Sequence, residues 1–321
     1  MCYLIGTDEA GYGPNLGPLV VAATAWHLPG QTADQVDLYH LLHKVVVRTT
    51  AAMHARQVPI ADSKMLYKAG GNLKMLETGL LPALSASGVT LDCWSSAWRH
   101  IAPDSQPQLR NDPCYRTYET PLPIDLSPND LPPRAEALAQ ALHRAGITLT
   151  GIRAVAVFPE QFNQFVERMD NKSAVLSHLT IQLIHRLVAT LKEEPILVCC
   201  DKHGGRNHYL ALLQTAFPES LVEVRRESRA LSVYRWGPPH RRVEIRFAVG
   251  GESFLPTALA SMTAKYLREL AMKAFNAYWG QHVAGLRPTA GYPLDARRFL
   301  DDIDHCRRQY RIARDSLWRK R

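Results

Sequence analysis

Hydrophobic positions along the chain fall into short strand-like runs and longer helical stripes. Residues 3–7 make a first apolar run, and the second, GPLVVAATAWHL, follows a Gly/Pro-rich stretch, GTDEAGYGPNLGP at 6–18. Two strands joined by such a turn predict a hairpin. Leu38, Leu41, Leu42 and Val45 then recur at helical spacing, so 31–56 is expected to be partly helical, and IADSKMLYKAGGNLKMLETGLLPAL reads as a polar loop entering a helix. IRAVAVF at 152–158 is a further strand. After it, NKSAVLSHLTIQLIHRLVATL sets Leu176, Leu179, Leu183, Leu187 and Leu191 on one stripe, with Ile184 and Val188 beside it. That helix feeds the apolar strand PILVCC, which ends at Asp201, and strand, helix, strand in this order predicts a parallel pair with a right-handed crossover.

Beyond Asp201 come a short helical run near His208 to Leu213, a basic stretch, and RRVEIRFAV with Val243, Ile245 and Phe247 on one side. GGESFLPTALASMTAKYLRELAMKAF follows, with Pro256 suited to a helix's first turn. The whole reads as α/β with a mixed central sheet flanked by helices. Residues 100–133 break the pattern with eight prolines and no apolar period, which predicts a surface insertion at about 98–133. The expected organisation is a domain over 1–275 carrying that insertion, and a helical, basic C-terminal region over 276–321 packed on it.

Composition narrows the function. Among 321 residues, Lys and Arg outnumber Asp and Glu by 38 to 30, a formal charge of +8, which favours a polyanionic partner. Residues 225–246 hold seven arginines against two glutamates, interleaved with Tyr234 and Trp236, and 297–321 hold nine Lys or Arg against four Asp. Such segments grip phosphates when they are not merely solvated faces. No run of eighteen apolar residues occurs, so no membrane partner is expected. The six cysteines show no C-x-x-C pair, consistent with a reduced, cytoplasmic protein.

Candidate chemistry gathers at strand ends. Asp8 and Glu9 follow the first strand beside a glycine turn, and Asp201 ends another apolar strand. Buried carboxylates need a partner or a cation, and a divalent metal is an economical one, although an Asp-Glu pair before a glycine turn also serves as plain turn chemistry. The stretch lacks the order and the Lys of a P-loop, and Gly11, Gly13 and Gly17 do not have dinucleotide-fingerprint spacing.

Several segments, taken in order, carry a resemblance. GTDEAGYGPNLGPLVVAA, ADSKML at 61–66, ILVCCD, LASMTAKYLREL and AGYP at 290–293 resemble the motifs of the type 2 ribonucleases H, ribonucleases HII and HIII. The resemblance implies a ribonuclease H-like fold and hydrolysis of the RNA strand of RNA/DNA hybrids, or of duplex DNA containing ribonucleotides, by a monomer using two Mg²⁺ or Mn²⁺ ions. It implies 5′-phosphate and 3′-hydroxyl products. Asp8, Glu9 and Asp201 match three of the family's four acids, with Asp8 the ligand expected to be shared by both ions. Gly11, Tyr12 and Gly13 match the tripeptide that reads the 2′-hydroxyl; Ser63, Lys64, Ser261 and Lys265 match residues facing the substrate; Tyr292 matches an aromatic stacking on a DNA-strand sugar. Asn171 and Lys172 are weaker matches to a helix-start Asn.

Two departures stand out. Where the family has its fourth acid, about fourteen residues before the helix Lys, this chain has Gly251, and Glu252 is the nearest carboxylate, one position off. The family's Arg or Lys between two glycines is here Tyr12. Each leaves an alternative open: a hybrid-binding protein with weak or no catalysis, or a two-metal nuclease acting on DNA structures.

Overall fold

A computed structural model describes residues 1–30, 36–49, 51 and 53–320. The predicted hairpin is the hub: β1 (Cys2–Ala10) pairs antiparallel with β2 (Leu19–Leu28), with Cys2 opposite Leu28 and Ala10 opposite Val20. On the other side of β1 lies β6 (Ile196–Asp201), parallel to it, and next to β6 lies β9 (Val243–Ala248), again parallel. β5 (Thr148–Val157) pairs antiparallel with β2, while β8 (Leu231–Trp236) and the edge strand β7 (Glu223–Glu227) continue antiparallel from β9. The order is therefore β5-β2-β1-β6-β9-β8-β7, a mixed seven-stranded sheet, with a separate parallel pair of β3 (Val46–Val47) and β4 (Val58–Pro59).

Period-two alternation sends successive β1 and β2 side chains into two cores. Cys2, Leu4, Val20, Ala22 and Trp26 pack on one face with α3 (Lys74–Ala86), α4 (Trp94–Ile101), α5 (Gln106–Asn111), α6 (Leu131–Ala145), α10 (Leu255–His282) and α11 (Pro293–Gln309). Tyr3, Ile5, Leu19, Val21 and Ala23 pack on the other face with α7 (Pro159–Met169), α8 (Lys172–Thr190) and α9 (Leu210–Ala216). The longest helix, α10, crosses β1 so closely that a Cβ on Gly6 would stand 2.1 Å from the Pro256 carbonyl carbon and the Thr257 nitrogen. Gly6 thus fixes where that helix begins relative to the strand bearing Asp8.

Two expectations are corrected. β5 and β6 are not neighbours, since β2 and β1 lie between them; the partners of β6 are β1 and β9. The partial helix expected in 31–56 is α1 (Leu38–Leu41), after which the chain turns to β3; residues 31–35, 50 and 52 lie outside the described set. The proline-rich stretch is not a surface excursion. Leu109, Cys114, Tyr115, Leu122 and Leu126 in it are buried. Its anchor is Glu77 of α3, fully buried, whose carboxylate accepts hydrogen bonds from the backbone N–H groups of Ile124 (2.6 Å), Asp125 (2.8 Å) and Leu126 (2.8 Å) and from the Tyr266 hydroxyl (3.0 Å).

Candidate active site

Parallel pairing explains why the acids share one edge. Thr7 on β1 is opposite Cys200 on β6, and Asp201 is opposite Ala248 on β9, so the C-terminal ends of three strands lie side by side. Asp8 and Glu9 lie at the first end and Asp201 at the second; β9 runs through Gly250 and Gly251 into Glu252. Gly250 takes a positive φ of 74°, and the Gly251 N–H donates to Asp201 Oδ1 at 3.3 Å. A Cβ on Gly251 would stand 3.1 Å from the Asp201 nitrogen, so this approach suits glycine best.

The carboxylates feel one another. Burial, then the charge of Glu9, raises Asp8 well above the usual carboxylate range, with Glu252 adding to it and a hydrogen bond with Ser261 opposing. Glu9 is pushed up to about 7 by burial, then by Asp201, with Glu252 adding and Lys64 pulling the other way. The nearest cation is Lys64, whose Nζ lies 3.5 Å from Glu252 Oε1. An all-oxygen set of mutually repelling acids suits a hard divalent ion. Among the described residues, no three His, Cys, Asp or Glu side chains converge into a ready metal cage.

The remaining candidates divide. The Ser261 and Ser63 hydroxyls share a hydrogen bond at 3.0 Å that joins α10 to α2 (Ser63–Leu66), so Ser63 is buried against the helix while Lys64 extends outward. Asp62 caps α2 by accepting from the Lys64 N–H at 3.0 Å. Lys265 is occupied elsewhere: its Nζ lies 2.6 Å from Glu269 Oε1 and 4.6 Å from the centre of the Tyr67 ring. Asn171 caps α8 by accepting from the Ala174 N–H at 2.8 Å.

The opening loop is held from several sides. Gly11 has a φ of 90°, and a Cβ there would stand 2.5 Å from the Pro18 oxygen. Tyr12 lies beneath the Lys172 ammonium, 4.6 Å from its ring centre, with its hydroxyl near Ser173 and Gly204. Tyr292, 48% exposed, borders Gly13, because the Gly291 carbonyl accepts from the Asn15 N–H at 2.8 Å. Two arginines not singled out from the sequence also reach this loop. Arg268 of α10 donates to Leu16 O (3.4 Å) and Ala290 O (2.9 Å), and Arg319 donates to the carbonyls of Gly11 and Pro14.

Much of the basic charge is internally paired. Arg225 is paired with Glu223, Arg235 and Arg246 with Glu244, and Arg241 with Glu193. Arg298 holds Asp295 and Asp302, and Arg307 holds Asp304. No helix among the described residues is long and apolar enough to cross a membrane.

No protein-family model and no curated protein matches the chain. Among solved structures it is similar to ribonuclease HII from Archaeoglobus fulgidus, determined in complex with PCNA, at 16% identity over 99% of this chain and 94% of that one, TM-score 0.42. Ribonuclease H2 from Pyrococcus horikoshii OT3 matches at 14% identity over 98% and 92%, TM-score 0.41. Bst-RNase HIII in complex with Mn²⁺ matches at 15% identity over 99% of this chain and 66% of that one, TM-score 0.40.

Proposed function

We propose that this chain is a type 2 ribonuclease H that cleaves the RNA strand of RNA/DNA hybrids, or duplex DNA at embedded ribonucleotides. The observation that carries the reading is the gathering of Asp8, Glu9, Asp201 and Glu252 at the ends of parallel strands, where burial and mutual repulsion raise the first two. These four would hold two Mg²⁺ or Mn²⁺ ions, which when bound supply water activation and charge neutralisation at the scissile phosphate. Ser261 orients Asp8, and Lys64 meets a backbone phosphate once it exchanges Glu252 for substrate. The loop at Gly11 to Gly13 presents backbone to a ribose 2′-hydroxyl, the one group that separates RNA from DNA at a nucleotide. Tyr292, exposed beside Gly13, stacks on a sugar of the opposing strand.

Incubation of the purified protein with a labelled hybrid and either ion tests this. Cleavage leaving 5′-phosphate ends is expected, and Asp8→Asn should lower kcat by about 10³-fold or more, a loss typical of removing an essential catalytic group. If neither ion supports cleavage, the enzymatic reading fails. The Lys64–Glu252 contact favours a second reading, hybrid binding without turnover, which predicts salt-sensitive binding and no product.

A further inference from the structure

The stretch 315–320 is built into the opening loop. The Arg319 N–H donates to Asn15 O at 2.8 Å, and Asn15 Nδ2 returns a bond to Arg319 O at 3.0 Å, while Leu16 forms a bridge with Trp318. The Arg319 guanidinium passes beneath the loop, donates to the carbonyls of Gly11 and Pro14, and lies 4.9 Å from the centre of the Phe162 ring. On the α7 side, Asn163 spends its whole amide on this stretch, donating to Asp315 O (2.9 Å) and Trp318 O (2.8 Å) and accepting from the Lys320 N–H (2.7 Å).

This placement is costly. Arg319 is 1% exposed, and among the described residues no carboxylate pairs with it. Its Nε and Nη1 find no hydrogen-bond partner, and neither does Nη1 of Arg268. Burial, reinforced by the Arg268 charge, pushes the Arg319 guanidinium well below its ordinary value. A buried cation with two nitrogens unpaired is a weak stabiliser for the cost of burying its charge. What it does provide is geometry, because its Nη2 donates to both carbonyls that flank Tyr12 and Gly13 and so ties them to one planar group.

We propose that Arg319 is a positioning residue, which acts through Gly11 and Pro14 to hold the 11–14 loop in the shape that engages the ribose-bearing strand. This rests on the ribonuclease H reading of the site. Three variants test it. Arg319→Met removes the shared Nη2 donor at similar volume, Arg319→Lys keeps the charge on a shorter, non-planar head, and Asn163→Ala loosens the stretch from α7 while leaving Arg319 intact. Hydrogen exchange over residues 10–18 in metal-free protein and steady-state cleavage of a hybrid are measured well below each variant's Tm. For Arg319→Met, exchange at 11–16 should rise about tenfold with the central β1 and β6 amides still protected, as expected of a local opening. KM for the hybrid should rise about tenfold while kcat changes less than about threefold, the signature of lost binding. Arg319→Lys should fall between, and Asn163→Ala should move both readouts the same way. Unchanged loop exchange and KM, or exchange raised equally throughout the sheet, would overturn the proposal. If Arg319→Met does not fold, Asn163→Ala decides by the same criteria. Should the wild type not cut hybrid at all, the functional reading fails separately, and loop exchange with hybrid affinity by anisotropy still decides the role of Arg319.

Discussion

Glu9 carries an electrostatic conflict that folding creates and a cation would relieve. Its folded value of about 7 stands above the ordinary 4.5, so between these values the folded chain binds more protons than the unfolded one. Its contribution to stability is therefore present below pH 4.5 and lost as pH rises through 7 in metal-free protein. Glu9→Gln should be more stable than wild type at pH 8 in chelator, by about 3 kcal/mol for a rise from 4.5 to about 7, and equal to it at pH 4. Urea unfolding at the two pH values measures this; equal midpoints at pH 8 would refute it. Asp8, Glu9 and Asp201 were legible because a charged residue ending an apolar run is conspicuous. Arg319 was not, because an arginine in a basic stretch looks like every solvated arginine around it, and only the packing of residues 304 apart along the chain reveals its burial.

At the scale of elements, one carboxylate organises an entire segment. Glu77 satisfies three successive N–H groups of the 124–126 turn and the Tyr266 hydroxyl from within the core. Glu77→Ala strands these donors and should cost about 3–5 kcal/mol, in the range for breaking a buried charged network. Denaturant unfolding reads the loss, and a cost under 1 kcal/mol would show that the turn finds other partners. This also explains why the proline-rich stretch was misjudged. Its backbone is satisfied by a side chain from α3 rather than by its own ladder, so no period marks its burial in the sequence. The β5–β6 expectation failed for a related reason: a strand, helix, strand pattern fixes relative direction but not adjacency, and the hairpin strands slot between the two. The hairpin itself and α8 were legible because their apolar periods are long and uninterrupted.

At the scale of the whole molecule, acid should loosen the fold through His203. Its ring is buried against Tyr209 and Phe247, pairs with the Ser177 hydroxyl at 3.1 Å, and joins the end of β6 to α8. Burial, with Arg206 nearby, lowers its folded value from 6.5 to about 3. The unfolded chain thus takes up a proton below pH 6.5 that the folded chain refuses until about pH 3, so stability falls as pH drops across that window. The loss amounts to about 3 kcal/mol by pH 4. His203→Gln should remove about 3 kcal/mol of the fall in stability between pH 6.5 and 4 relative to wild type, read by urea unfolding across that range; an unchanged slope would assign the acid sensitivity elsewhere. The docking of the 315–320 stretch under the opening loop has a temporal side as well. Synthesis delivers the loop about three hundred residues ahead of its clasp, since Asn15 and Arg319 are 304 apart along the chain. A ribosome-bound nascent chain can hold Asp8 and Glu9 without the clasp, so the 11–14 loop takes its final shape only after translation has passed Arg319.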